Sequence, residues 1–226
     1  MGMPLRFGTG RVATFGYLAE PGPHAVPARS GVVVLHDWYG HLPHVRAVCD
    51  RLADAGHLAL APDLYDGRLT ADPLEAQELF ETLDEGLAKE RIRAGVEHLR
   101  ALGARRVGAL GYSIGGWLAL QLGQRGVFEA IVAYYAALEE DERAPIPCPV
   151  LLHLAELDDW DAPDAPQRFA DELRDQGTRV EVVMHAGARH AFANEDVAAY
   201  DLRAATLAWP RTMEFLGRQL FWAPPP

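Results

Sequence analysis

A chain of 226 residues, 49% hydrophobic and 23% charged, carries enough apolar material for a substantial core and falls within the range of one large α/β domain. A single domain over residues 1–226 is therefore expected. The formal charge of −11 and pI near 5.2 set up a field that repels phosphate, so neither nucleic acid nor an anionic membrane is an expected partner.

The start of the chain lacks the apolar stretch of a secretory leader, and no run is long enough to span a bilayer, which predicts a soluble cytoplasmic protein. Arg11 to Leu18 has weak strand character and is closed by turn punctuation at Glu20-Pro21-Gly22-Pro23. Gly8-Thr9-Gly10 with Ala13 loosely echoes a dinucleotide fingerprint, but neither a strand before it nor a helix after it supports a nucleotide site. Gly31 to Leu35 is a continuous apolar run, the pattern of a strand buried on both faces, and it delivers His36-Asp37-Trp38-Tyr39-Gly40 to its carboxyl end. Leu42, Val45, Val48, Cys49 and Leu52 then mark an amphipathic helix ending at Gly56, and His57 to Ala61 returns as a strand that stops at Pro62-Asp63.

A helix is predicted from Pro73 to about Leu87 and another from Glu90 through Ile92, Val96 and Leu99. Val107 to Leu110 reads as a strand and Trp117 to Leu122 as a helix. Ala130 to Tyr135 and Val150 to Leu154 read as strands, Pro166 to Gln176 as a helix and Arg179 to Met184 as a last strand. A terminal helix from Val197 to Leu220 contains Pro210, which is expected to kink or divide it, and the tail Pro224 to Pro226 is expected to fray. Strand and helix alternate throughout, so the fold class is α/β with a mainly parallel sheet and helices on both faces. Cys49 lies on an apolar helix stripe and Cys148 between prolines, so both are read as reduced structural thiols.

In an open parallel sheet, ligands gather beyond the carboxyl ends of the strands. Four groups collect there: His36 to Gly40, Ser113, the acids Glu156, Asp158, Asp159 and Asp161, and the pair His185 and His190. Gly111-Tyr112-Ser113-Ile114-Gly115-Gly116 is a G-x-S-x-G run between a strand and a helix, the context of a nucleophile elbow; by itself the pattern is common in a chain with 21 glycines. A serine nucleophile needs a base. His190, in the small-residue loop Ala186 to Phe192, is the first choice and His185 the second. The imidazole in turn needs a carboxylate. Asp158 is chosen, with Asp159 and Asp161 close enough to be confused with it, and Ser113, Asp158, His190 is the chain order of α/β-hydrolases.

These stretches, together with Ala61-Pro62-Asp63-Leu64-Tyr65, Ala133-Tyr134-Tyr135 and Leu152-His153, resemble the dienelactone hydrolase family over nearly the whole chain. The resemblance implies an α/β-hydrolase fold with little or no lid, and hydrolysis of small esters or lactones without a cofactor. It implies a triad of Ser113, Asp158 and His190, an oxyanion hole from the backbone amides of Ile114 and Trp38, and Asp37 as an auxiliary carboxylate near the nucleophile. Type members carry cysteine where this chain has Ser113, and glutamate where it has Asp37. Arginines hold the carboxylate of dienelactone in such members, whereas four residues beyond His190 this chain has Asn194, and between Tyr65 and Lys89 its only arginine is Arg68. Trp38, Tyr39, Trp160 and Phe192 fall on the catalytic rim and suggest a pocket for an uncharged ester or lactone, although simple core packing explains each of them singly. A metal cluster from His36, Asp37, His41 and His44 is disfavoured because the oxyanion-loop role explains the segment and no second carboxylate-histidine pair has suitable ligand spacing. The expected protein is a monomer or homodimer acting on a small-molecule ester or lactone. Its alternatives are an acyltransferase and a weakened small-molecule receptor or scaffold that keeps the fold without the chemistry.

Overall fold

A computed structural model describes residues 1–22, 30–160, 162 and 164–221. Pro23 of the predicted turn, Asp161 of the acidic cluster and the Pro224 to Pro226 tail lie outside the described residues. The chain forms two compact units, one built on residues 1–108 with the C-terminal end from Leu220, the other on Ala109–Gln219.

The first unit contains β1 (Met3–Phe7), β2 (Thr14–Ala19), β3 (Ser30–Leu35), α1 (Pro43–Asp54), β4 (Leu58–Pro62), α2 (Pro73–Glu81), α3 (Glu85–Ala101) and the start of β5 (Arg106–Tyr112). Its strands run in the order β1-β2-β4-β3. β3 and β4 pair in parallel, while β2 is antiparallel to β4 and β1 antiparallel to β2. Every residue of β3 and β4 is buried. Successive side chains point to opposite faces, so both faces of these strands are covered, which is why their sequence runs apolar without alternation. The stripe on α1 packs as its spacing predicts, with Val45, Val48, Cys49 and Leu52 buried. The helix closes at Gly56, whose φ of 94° lets the amides of Gly56 and His57 turn back onto the carbonyls of Ala53 and Leu52.

Sequence reasoning misses β1. Met-Pro-Leu-Arg-Phe alternates apolar residues at Met3, Leu5 and Phe7, but over five residues only, with a proline inside, and as an exposed outer strand it buries Phe7 alone. Arg11 and Val12 belong to a short 3-10 turn rather than to β2. The break between α2 and α3 falls at Thr82 to Asp84, earlier than the apolar spacing suggests. Asp84 caps α3 by accepting the Leu87 amide at 2.9 Å, which places Leu87 in the first turn of α3 instead of at the end of α2.

The second unit takes β5 from Ala109, then α4 (Ile114–Gly123), β6 (Ile131–Tyr134), β7 (Val150–Leu157), α5 (Ala165–Asp175), β8 (Val180–Arg189) and most of α6 (Leu202–Leu220). Its strands run β5-β6-β7-β8, all parallel. β8 runs five residues past the predicted end at Met184. α6 starts five residues later than predicted, with Asp201 accepting the Ala204 amide as its cap. Pro210 does not divide it. The proline removes one amide donor, but Ala208, Thr212, Phe215 and Leu216 are buried around it and keep the helix continuous. Among the described residues, no helix is long and apolar enough to cross a membrane.

Because the Asp84 side chain caps the start of α3 where the apolar pattern runs on, Asp84→Ala is expected to lower stability by about 1 kcal/mol. A urea titration checks this, and an unchanged midpoint would count against the capping role.

Candidate active site

The turn from β5 into α4 places Ser113 at φ 49° and ψ −118°, a region that side chains other than glycine rarely occupy. Two contacts hold it there. The Ser113 amide donates to the Tyr134 carbonyl at 3.0 Å, and the Ser113 carbonyl accepts the Trp117 amide at 2.9 Å. The turn closes only because two flanking residues lack side chains. A Cβ on Gly111 would lie 2.4 Å from the Gly115 carbonyl oxygen, and one on Gly116 would lie 2.7 Å from the Ala136 Cβ. Ile114 opens α4, so its amide belongs to the first-turn donors that have no acceptor within the helix.

Ser113 Oγ lies 2.8 Å from His190 Nε2. His190 Nδ1 lies 2.9 Å and 3.0 Å from the two oxygens of Asp158. With the proton of the neutral ring on Nδ1, the imidazole donates to Asp158 and accepts from the Ser113 hydroxyl. Both partners are largely shielded, the His190 and Asp158 side chains being 16% and 9% exposed.

A change of register brings Asp158 and His190 together. β7 and β8 pair regularly from Val150 opposite Val180 to Ala155 opposite His185, and then the register shifts so that Leu157 faces Arg189. Two extra residues of β8 are absorbed in this irregularity, at Gly187 with φ 73°, and the Glu156 carboxylate takes the Gly187 amide at 2.7 Å. The successors of the last pair, Asp158 and His190, therefore emerge side by side. Without the shift, Asp158 would face Ala188. The acidic cluster is thus divided: Glu156 secures the irregularity, Asp158 meets His190, and Asp159 reaches Arg189 at 3.5 Å on an exposed surface.

Trp160 is 56% exposed, with its ring 5.4 Å from that of His190. Phe192 corrects the predicted pocket. It is completely buried, so it supports the site from beneath and lines no cavity. Its ring packs on Tyr135 at 5.3 Å, and Tyr135 packs on His190 at 4.9 Å. Tyr135 also has a positive φ of 41° and ends β6 one residue earlier than the apolar run suggests. Its role beneath His190 has no sequence signal beyond its place in the Ala133-Tyr134-Tyr135 stretch. His185, the second-choice base, is buried and hydrogen-bonded to His153 at 3.0 Å.

The segment after β3 lies wholly in the first unit. Asp37 is buried; its Oδ1 accepts the Tyr39 amide at 3.0 Å, and its carbonyl accepts the Gly40 amide at 3.2 Å. His36 secures the start of this loop, with Nδ1 donating to the Asp37 carbonyl at 2.7 Å and Nε2 accepting the Leu64 amide at 3.1 Å. Both of its nitrogens are thereby engaged, which leaves His36 no lone pair for a metal. Tyr39 is buried and Trp38 half-buried, their rings 5.4 Å apart. Cys49 and Cys148 are buried free thiols, and burial pushes both well above the usual thiol range.

The sequence model of the Dienelactone hydrolase family matches residues 15–220. The chain belongs to the dienelactone hydrolase family. It is accordingly an α/β-hydrolase-fold enzyme of the carboxylic ester and lactone hydrolase class. Among relatives of this family member, "Protein usf" of Aquifex pyrophilus is 30% identical, the match covering 97% of this chain and 100% of that protein. Carboxymethylenebutenolidase 1 of Cupriavidus pinatubonensis is 26% identical over 88% of this chain and 89% of its own. A dienelactone hydrolase-like promiscuous phosphotriesterase from metagenomic libraries shares the fold, with a TM-score of 0.85, 22% identity, and coverage of 98% of this chain and 99% of that one.

Two outcomes test the framework of the site in this family member. Gly111→Ala is expected to cost more than ~3 kcal/mol, because the new methyl meets backbone that cannot move aside. Gly187→Ala, with open space around its Cβ position, should cost only ~1 kcal/mol from its positive φ; equal midpoints for the two in urea would contradict the packing account. The second outcome concerns pH. Burial lowers the pKa of His36 to about 3 and that of His153 to about 3. An unfolded histidine takes a proton below about pH 6.5, so between these limits the unfolded chain binds more protons than the folded one and stability rises with pH. Lowering the pH from 7 to 5 should therefore lower the urea midpoint, and a pH-independent midpoint would count against neutral buried imidazoles.

Proposed function

We propose that the protein is a serine hydrolase that cleaves small carboxylic esters or lactones through an acyl-enzyme on Ser113. The observation that carries this reading is the continuous relay from Ser113 Oγ through His190 to Asp158, with links of 2.8 and 2.9 Å. A serine hydroxyl is a poor nucleophile until its proton can leave during attack, and His190 Nε2 stands where it can take it. Asp158 holds the ring in the tautomer that leaves Nε2 open and stabilises the imidazolium once formed. Oγ then bonds to the substrate carbonyl carbon, the carbonyl oxygen becomes an oxyanion, and His190 returns the proton to the leaving alkoxide. Water, deprotonated by His190, releases the carboxylic acid and restores the hydroxyl.

The Ile114 amide, unpaired by its helix, is assigned to the oxyanion, and the family pattern assigns Trp38 the second amide. Asp37 is the auxiliary acid of that pattern. The exposed Trp160 ring beside His190 supplies an apolar wall, which fits an uncharged acyl or alcohol group and agrees with the absence of arginine at Asn194. Serine in place of the usual cysteine makes His190 indispensable, because the hydroxyl has no stable anionic resting form to fall back on.

A fluorophosphonate probe should label the wild-type protein at Ser113 and leave Ser113→Ala unlabelled, as read by mass spectrometry; an adduct elsewhere would overturn the assignment. Turnover of a short-chain aryl ester should fall at least ~10³-fold in His190→Ala. In a panel of uncharged esters, uncharged lactones and carboxylated lactones, the uncharged compounds should show the higher kcat/KM, and a preference for the carboxylated lactones would refute the pocket reading.

A further inference from the structure

A cavity of about 490 Å³ lies in the second unit between β8 and the N-terminal half of α6. Arg203, Leu207 and Arg211 recur at four-residue spacing and form one stripe along the helix bordering it. Neither arginine has an ion-pair partner among the described residues; in the same unit Arg174, Arg189 and Arg218 are each paired with a carboxylate, while Arg125 and Arg179 are not. What distinguishes Arg203 and Arg211 is that the two unpaired guanidiniums share one cavity, in a chain whose formal charge is −11. One carboxylate also stands in the wall: Asp201 caps α6 by accepting the Ala204 amide on Oδ1, keeps its negative charge and acts on the His185 ring, so the wall carries two guanidiniums against one carboxylate. Apolar surface faces the same space, with Met184 46% and Leu207 58% exposed.

A buried polar chain ends at this cavity. Tyr134 Oη meets Thr212 Oγ1 at 2.6 Å, Thr212 Oγ1 meets His153 Nε2 at 3.0 Å, and His153 Nδ1 meets His185 Nε2 at 3.0 Å. His185 lines the cavity, and its Nδ1 has neither a partner among the described residues nor a place among the sealed unpartnered atoms. Each link needs one proton, so the chain runs in one of two directions. Run from Tyr134 toward His185, it leaves the His185 proton on Nδ1 as a donor to the cavity; run the other way, it presents a lone pair there. An anion held by the two arginines selects the first direction, because a carboxylate accepts from that N–H and would be repelled by the lone pair.

We propose that this cavity binds an amphipathic monocarboxylate, its carboxylate held by Arg203, Arg211 and the Nδ1–H of His185 and its apolar chain against Met184 and Leu207. The site is independent of Ser113. Packing nonetheless joins it to the triad, since the His185 ring lies 4.6 Å from that of Phe192, which supports His190 through Tyr135.

The test is a titration of the full-length protein with sodium hexanoate, followed through the imidazole nitrogen resonances of ¹⁵N-labelled histidine. A saturable shift at His185 is expected, with hexanoate bound at least about tenfold more weakly by the double variant Arg203→Gln/Arg211→Gln. Both arginines are exposed, so the variant keeps the fold, and an unchanged thermal midpoint verifies this. Hexan-1-ol should give no saturable shift. The proposal is overturned by a response confined to His190, by equal affinity in the double variant, by an equal response to the alcohol, or by no saturable response. None of these results bears on fluorophosphonate labelling of Ser113.

Discussion

The strained turn at Ser113 is the constraint on which the rest of the site depends. A backbone at φ 49° costs on the order of 1–3 kcal/mol and persists only where its surroundings over-determine it. Here they do so at two levels. Gly111 and Gly116 allow backbone and the Ala136 methyl to come closer than any side chain would permit, and the Tyr134 carbonyl fixes the Ser113 amide from the neighbouring strand. The strain serves a geometric purpose, because it sets the hydroxyl at the end of a parallel sheet with the first amides of α4 beside it.

The second constraint is the irregularity between β7 and β8, which decides which carboxylate and which imidazole meet. Regular parallel pairing would bring Ala188 opposite Asp158. Two extra residues, a glycine with φ 73° and a glutamate side chain on its amide turn that into His190 opposite Asp158. Rings then hold the imidazole from below, through Tyr135 and Phe192, while the exposed Trp160 stands beside it. Core packing and the placement of His190 thereby draw on the same contacts, since Phe192 and Tyr135 are buried and pack in turn beneath its ring.

Much of this was legible in the residues. Apolar runs located β3 to β7, since strands covered on both faces need no alternation, and helical spacing located α1 and the cores of α3 and α5. Boundaries were less legible wherever a side chain, rather than the pattern, decides them. Asp84 starts α3 inside what reads as continuous helix, Asp201 sets the start of α6, and β1 is an exposed outer strand with one buried residue. Phe192 shows the opposite limitation: an aromatic next to a catalytic-looking histidine reads as pocket lining, and only packing reveals that it never meets solvent.

By itself, the sequence determined the α/β class, the strand–serine–helix elbow and the chain order of serine, acid and histidine, because these are matters of local composition and spacing. It put Asp158 ahead of Asp159 and Asp161, and His190 ahead of His185. Tertiary structure alone placed Asp158 against His190, since a two-residue change of register between strands leaves no mark in composition. It also gave His185 a different setting, buried against His153 beside a cavity with two unpaired arginines, because burial and hydrogen-bond partners come from residues distant in the chain.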